Sequence, residues 1–259
     1  MAPAAGNDDG TDLIYGIHAV REALRARSRP VSRLLVAGKD RQFAELVQLA
    51  RSAHVPVHVE PRPALDRLVA HGRHQGVVAE IAAKAAVEPE EILAHARREQ
   101  TPPFVVVVDS VEDPQNLGAI LRAAEAAGVH GVILPDRRSV GLTGAVAKAS
   151  AGAIDHLNIA RVPNLSRLIE WLQQEGVWVY GLDASALKLY TSLDLRGAVA
   201  FVLGGEGRGV RPGVLEKCDE LVSIPMGGRV GSLNVSAAAA IALYEVVRQR
   251  MRSKEPTNS

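Results

Sequence analysis

The sequence predicts an α/β protein, with a doubly wound parallel sheet in its second half and a small αβ module ahead of it. Two observations carry this reading. Residues 104–109 spell FVVVVD, a nearly unbroken β-branched run of the kind found in a parallel strand covered on both faces. From there onward, short apolar runs alternate with segments of helical period, as repeating strand–helix units require.

Residues 1–11 are chiefly Ala, Pro, Gly, Asn and Asp with little to bury, and are expected to be a disordered tail, with order beginning near Ile14. In the module at 12–82, apolar periodicity predicts a helix over His18–Arg27, a strand over Arg33–Ala37 and a helix over Phe43–Ala53. A strand over Val57–Val59, a helix over Ala64–Val69 and a strand over Val77–Ile81 complete it. Ala, Glu, Arg and Pro dominate 83–102, which reads as a linker holding a helix over Glu90–Arg98, with a Thr-Pro-Pro stop at 101–103. The larger domain, 103–252, should place strands at Phe104–Asp109, Gly131–Leu134, Leu157–Ile159, Val177–Leu182, Val199–Leu203 and Leu221–Ile224. Helices are expected at Leu117–Ala127, Ala145–Ala149, Leu165–Gln174 and Asn234–Met251, with a second disordered tail at 253–259.

The 259 residues are 47% hydrophobic and 23% charged, ordinary for a soluble protein with a substantial core. No apolar run approaches the roughly 18–20 residues of a membrane span, and no basic-then-apolar leader opens the chain, so a cytoplasmic protein without membrane contact is expected. A single cysteine, Cys218, excludes an intrachain disulfide and reads as a small hydrophobe. The histidines lack metal-ligand spacing, so no metal site is expected. Net charge is only +1, and at 3% aromatic the chain lacks a base-stacking surface; any RNA contact should rest on shape and phosphates. Arg21, Arg25, Arg27, Arg29 and Arg33 form a basic cluster that reads either as a phosphate-attracting patch or as a solvated, solubilising face.

The most informative stretches are FVLGGEGRGV at 201–210 and IPMGGRVGSLNVS at 224–236. An apolar strand running into glycines lets a ligand approach main chain, because a residue without Cβ removes the steric wall. Glu206, Ser232 and Asn234 are the polar side chains left in such a pocket. Gly205, Gly207 and Gly209 give G-x-G-x-G, which matches neither the dinucleotide fingerprint nor a P-loop. Asn116 and Arg122 fall just after the first strand of the larger domain, where open α/β sheets collect ligands. Each has a structural alternative. Asn116 could cap a helix, Arg122 could be a surface residue, and Ser232, Asn234 and Ser236 compete to cap the last helix.

Residues 113–122 (DPQNLGAILR), 203–207 (LGGEG) and 224–236 resemble, in order, the three motifs of the SpoU/TrmH family of RNA ribose 2′-O-methyltransferases. The resemblance implies a SPOUT domain with a deep trefoil knot around Ser223–Ser236, and S-adenosylmethionine as cofactor. It implies cofactor contacts at Leu203, Gly204, Gly205, Ile224, Met226 and Leu233, much of them main chain. Asn116, Arg122, Glu206, Ser232 and Asn234 would do the catalytic work, with Arg122 at the acceptor hydroxyl. A guanidinium with a pKa above about 12 is a poor base, so Arg122 either loses its proton with special help or stabilises the developing alkoxide as a cation. The 12–82 module, with YGIHAV at 15–20 and HQGVVA at 74–79, looks like the ribosomal-protein-like RNA-binding domain of a family member that methylates a guanosine ribose of 23S ribosomal RNA. RNA partnership and a homodimer that completes each site follow as expectations. A transfer-RNA target, or a noncatalytic RNA-binding or ribosome-assembly role, are the alternatives.

Overall fold

The computed structural model describes residues 11–252 apart from Lys39, His71 and Arg208. The expected disordered tails lie outside the described residues, except that Thr11 already opens the first strand. In chain order the elements are β1 (Thr11–Tyr15), α1 (Ile17–Ala26), β2 (Val31–Val36), α2 (Ala44–Ser52), β3 (Val57–Val59), α3 (Arg62–Leu68), β4 (Val77–Ala82) and α4 (Pro89–Arg98). They continue with β5 (Phe104–Asp109), α5 (Pro114–Ala126), β6 (Gly131–Pro135), α6 (Gly144–Ala149), β7 (Asn158–Val162), α7 (Leu165–Gln174) and β8 (Trp178–Leu182). The chain ends through β9 (Lys188–Leu189), β10 (Val199–Gly204), α8 (Pro212–Leu215), β11 (Glu220–Ser223) and α9 (Val235–Arg252). Compactness divides them into two units. The first takes the described residues up to Ala85 with Leu117–Arg122 and Val140–His156; the second takes Ala86–Asn116, Ala123–Ser139 and the described residues from Leu157 onward.

In the first unit a four-stranded sheet runs β1-β4-β2-β3. β1, which the sequence reading did not anticipate, pairs antiparallel with β4 from Thr11↔Ala82 to Tyr15↔Val78. Its stability comes from a partner some seventy residues away, a contact that local periodicity does not register. The arginine cluster is consumed by carboxylates: Arg21 and Arg25 reach Glu45 at 3.1 and 2.8 Å, and Arg33 reaches Glu80 at 2.6 Å. Arg29 is buried against Asp155, Nε to Oδ1 at 2.8 Å, with its Nη1 on the Ala82 carbonyl at 3.1 Å. The cluster is therefore chiefly a set of structural ion pairs.

In the second unit seven strands form a sheet of order β7-β6-β5-β10-β8-β11-β9, with each pairing parallel. β5 is buried at every position, as its continuous apolar run requires. One sheet face packs Val105, Val107, Ile133, Ala160, Val179, Ala200 and Val202 against Leu165, Leu168, Ile169 and Leu172 of α7 and Ile92 and Leu93 of α4. The stretch expected to be a linker thus has its helix α4 packed into this core. Ala239, Ala242, Leu243 and Val246 of α9 are buried too, and α9 packs on β10. Cys218 is half-buried beside the core, its Sγ 3.5 Å from the Val214 carbonyl, and burial pushes its thiol up to about 12, which suits the inert role expected. β9 and α8 were not foreseen, being two and four residues long, too short for periodicity to register.

α5 begins three residues earlier than the apolar period suggests. Asp113 is its N-cap, accepting from the Gln115 N–H at 3.0 Å, and Pro114 occupies the first turn, where a missing N–H costs nothing. Asn116 is therefore inside the first turn and free of capping duty. Among the described residues, no helix is long and apolar enough to cross a membrane.

Candidate active site

From β5 the chain adds β6 and β7 on one side, while β10 and β8 lie on the other, so the order reverses between β5 and β10. Their carboxyl ends lie side by side there, with Gly204 opposite Asp109, at the switch point where open parallel sheets bind ligands. A cavity of about 510 Å³ occupies that end of the sheet. Its walls come from the end of β10, the segment after β11 and the turn into α9, and include Leu203, Gly204, Gly205, Glu206, Ile224, Met226, Ser232, Leu233 and Asn234.

The glycines have a steric cause. A Cβ on Gly204 would stand 2.0 Å from the Gly209 carbonyl carbon and the Val210 nitrogen, and one on Gly205 would stand 1.9 Å from the Ser110 carbonyl oxygen. The loop folds back on itself through Gly209 N–H to Gly205 C=O at 3.0 Å and is tied to β5 by Gly205 N–H to Asp109 C=O at 2.8 Å. Gly204→Ala is expected to destabilise the protein by about 1–3 kcal/mol, the usual range for overpacking, and to weaken cofactor binding. Thermal unfolding with and without S-adenosylmethionine checks both effects, and an unchanged melting temperature would contradict the crowding.

Three of the five expected catalytic residues meet by hydrogen bonds. Asn234 donates through Nδ2 to Asn116 Oδ1 at 2.9 Å and to Glu206 Oε1 at 2.8 Å. Its Oδ1 accepts from the Ser236 N–H at 2.9 Å and hydroxyl at 2.6 Å. The competition to cap α9 is settled in favour of Asn234, which also bridges two other motifs because the two ends of its amide do different work. Asn116 is buried and Glu206 exposed. Ser232 lines the cavity without joining this network among the described residues. Arg122 is exposed on α5 and is absent from the cavity lining.

Sequence reasoning missed one pair. Asp109 is fully buried and holds Arg211, with Arg211 Nε at 2.9 and 3.0 Å from its two oxygens and the Arg211 N–H at 2.9 Å. A carboxylate ending an apolar strand was the available signal, but its partner lies 102 residues away. The pair clamps the glycine loop to the end of β5.

The cavity suits an adenosyl group. Leu203, Ile224, Met226 and Leu233 offer apolar surface for a heterocycle, and glycine main chain offers hydrogen-bonding groups without side-chain bulk. Comparison with known proteins agrees. Residues 103–244 match the SpoU rRNA Methylase family, and residues 13–87 match the domain described as RNA 2′-O ribose methyltransferase substrate binding. The chain is 43% identical over 241 residues to a putative TrmH family tRNA/rRNA methyltransferase, YacO, of Bacillus subtilis, covering 92% of this chain and 96% of the relative. It is also 43% identical over 239 residues to the 23S rRNA (guanosine-2′-O-)-methyltransferase RlmB of Coxiella burnetii, covering 92% and 95%. Among solved structures, the SpoU methyltransferase AviRb from Streptomyces viridochromogenes in complex with AdoMet superposes with a TM-score of 0.81 at 26% identity, covering 95% of this chain and 94% of that one. With both domains matched and residues of the second and third motifs lining one cavity, the chain belongs to the SpoU rRNA methylase family.

Proposed function

We propose that this family member methylates the ribose 2′-oxygen of a guanosine in 23S ribosomal RNA, using S-adenosylmethionine. The observation that carries the target is the Coxiella relative, whose similarity extends through nearly the whole of both chains. Residues 12–82 serve as the substrate-binding part, 83–102 as the connector and 103–252 as the catalytic domain, in keeping with the two family matches.

The apolar walls at Leu203, Ile224, Met226 and Leu233 hold the cofactor's adenosine, while main chain at Gly204, Gly205, Ile224 and Leu233 sets its orientation. The bound cofactor supplies an electrophilic methyl group. Glu206 and Asn116, fixed through Asn234, orient the acceptor, and Ser232 adds a hydroxyl at the cavity wall. Arg122 places a permanent positive charge where the 2′-oxygen gains negative charge. Because Arg122 is exposed and absent from the lining, a second copy of the chain completes the site; exposed Tyr244 and Met251 on α9 suit such an association. Sedimentation that found a fully active monomer would remove the dimer. A trefoil knot around Ser223–Ser236 is part of the same reading, supported by the family match over residues 103–244, and a traced experimental structure tests it. The protein acts in the cytoplasm, where its RNA substrate resides.

Mapping 2′-O-methyl positions in RNA from cells lacking the protein tests the target. A lost guanosine mark in 23S ribosomal RNA is expected; a mark lost from transfer RNA alone would reassign the substrate.

A further inference from the structure

A second cavity, of about 740 Å³, adjoins the first, and the two share Gly205, Glu206 and Gly209 as a common wall. Its character differs. Where the first offers Leu, Ile and Met, the second is bordered by Arg138, Arg211, Glu112, Asp113 and Asn116. A methyl donor in the apolar cavity leaves the polar one for the group that receives the methyl.

Two arginines there are placed in different ways. Arg211 is anchored along its Nε edge by the buried Asp109, yet its side chain remains 39% exposed. Its terminal nitrogens donate no hydrogen bond among the described residues, so a pre-oriented guanidinium presents unused donors at the cavity. Arg138 is exposed and makes no hydrogen bond or ion pair among the described residues, but its backbone sits at φ 62°. That left-handed conformation is unfavourable for a residue with a Cβ, and it persists where the surroundings impose it, often at ligand sites. The lining carboxylates are partly committed: Asp113 caps α5 and Glu206 accepts from Asn234. Glu112 makes no hydrogen bond among the described residues and can accept from a sugar hydroxyl or base N–H.

We propose that the second cavity is the acceptor-nucleotide subsite, in which Arg138 and Arg211 grip a backbone phosphate beside the ribose that is methylated. The assignment rests on the ribose methyl transfer proposed above. A guanidinium matches phosphate oxygens by fork geometry as well as charge, so two that border one cavity hold the nucleotide beside the shared Glu206 wall.

The test uses the full-length protein and in-vitro-transcribed 23S ribosomal RNA. Arg138→Gly removes the cation, relieves the left-handed backbone and deletes no hydrogen bond or ion pair among the described residues. Affinity for the RNA should fall about tenfold, and the slope of log affinity against log salt should shrink by about 0.7–1, the signature of one lost phosphate contact. Affinity for S-adenosylmethionine and the melting temperature should not fall. Arg211→Lys keeps the charge but loses the fork and the Nε hydrogen bonds to Asp109, so KM for RNA should rise, and the melting temperature read beside it registers any loosening of the glycine loop. Two folded variants with native RNA affinity and native salt slope would overturn the subsite. Wild-type protein with the arginine-dependent slope but no methyl transfer to any RNA would overturn the functional reading while supporting the subsite.

Discussion

Arg122→Ala should lose at least about a hundredfold in methyl transfer while binding S-adenosylmethionine with near-native affinity. The magnitude follows from deleting one donor aimed at developing negative charge, which typically costs two to three orders of magnitude in rate. Exposure on α5, with no hydrogen bond or ion pair among the described residues, means that truncation removes no support from the fold. Stability should change by no more than about 0.5 kcal/mol. The cavity proposed for the cofactor is lined without Arg122, so binding and turnover should separate. Arg122→Lys distinguishes the two roles open to the residue. A permanent cation would be partly replaced by lysine, whereas a guanidine acting as base would be replaced by a group whose titration shows in the pH–rate profile. Calorimetric titration beside a methyl-transfer assay reads both quantities, and equal loss of the two would refute the assignment.

Asp155→Ala should destabilise the protein by about 3–5 kcal/mol, the cost of stranding one member of a buried ion pair. The side chains of Arg29 and Asp155 are 5% and 1% exposed and lie 2.8 Å apart. Their pairing is incomplete: Arg29 Nη2 and Asp155 Oδ2 are buried with no hydrogen-bond partner among the described residues. Around them, burial lowers the Lys84 pKa against the pull of Asp155, and burial raises that of Asp12 against the pull of Arg29. Losing the Asp155 carboxylate leaves Arg29 and Lys84 with Asp12, 3.5 Å from Arg29, as the remaining counter-charge. The half-satisfied pair makes a second expectation: Arg29→Met with Asp155→Leu should recover most of the loss, because apolar packing avoids the desolvation of both charges. Denaturant unfolding of the single and double variants checks this. A single-variant loss below about 1 kcal/mol would show that the charges are solvated.

The sheet and its helices were largely legible because their signals are local. FVVVVD at 104–109 has to be a covered strand, and the periods of α1, α2, α7 and α9 each lie within one segment. The glycines at 204 and 205 could likewise be read as backbone approaching something closely. What they approach could not. Thr11–Tyr15 becomes a strand only through β4, and the alternative of Asn116 as an N-cap lost to Asp113, whose Asp-Pro pair is the stronger start signal once the helix is seen to begin there.

By itself, then, the sequence determined the α/β class, the segments that carry the chemistry and the residue types available to it, since these depend on neighbours along the chain. Tertiary structure decided which of those residues meet. Asn234 reaches Asn116 across 118 positions, Arg211 finds Asp109 across 102, and Arg29 finds Asp155 across 126. Hydrogen bonds and ion pairs act over about 3 Å, and which groups come that close is set by how the strands are ordered, a property that no local stretch of chain contains.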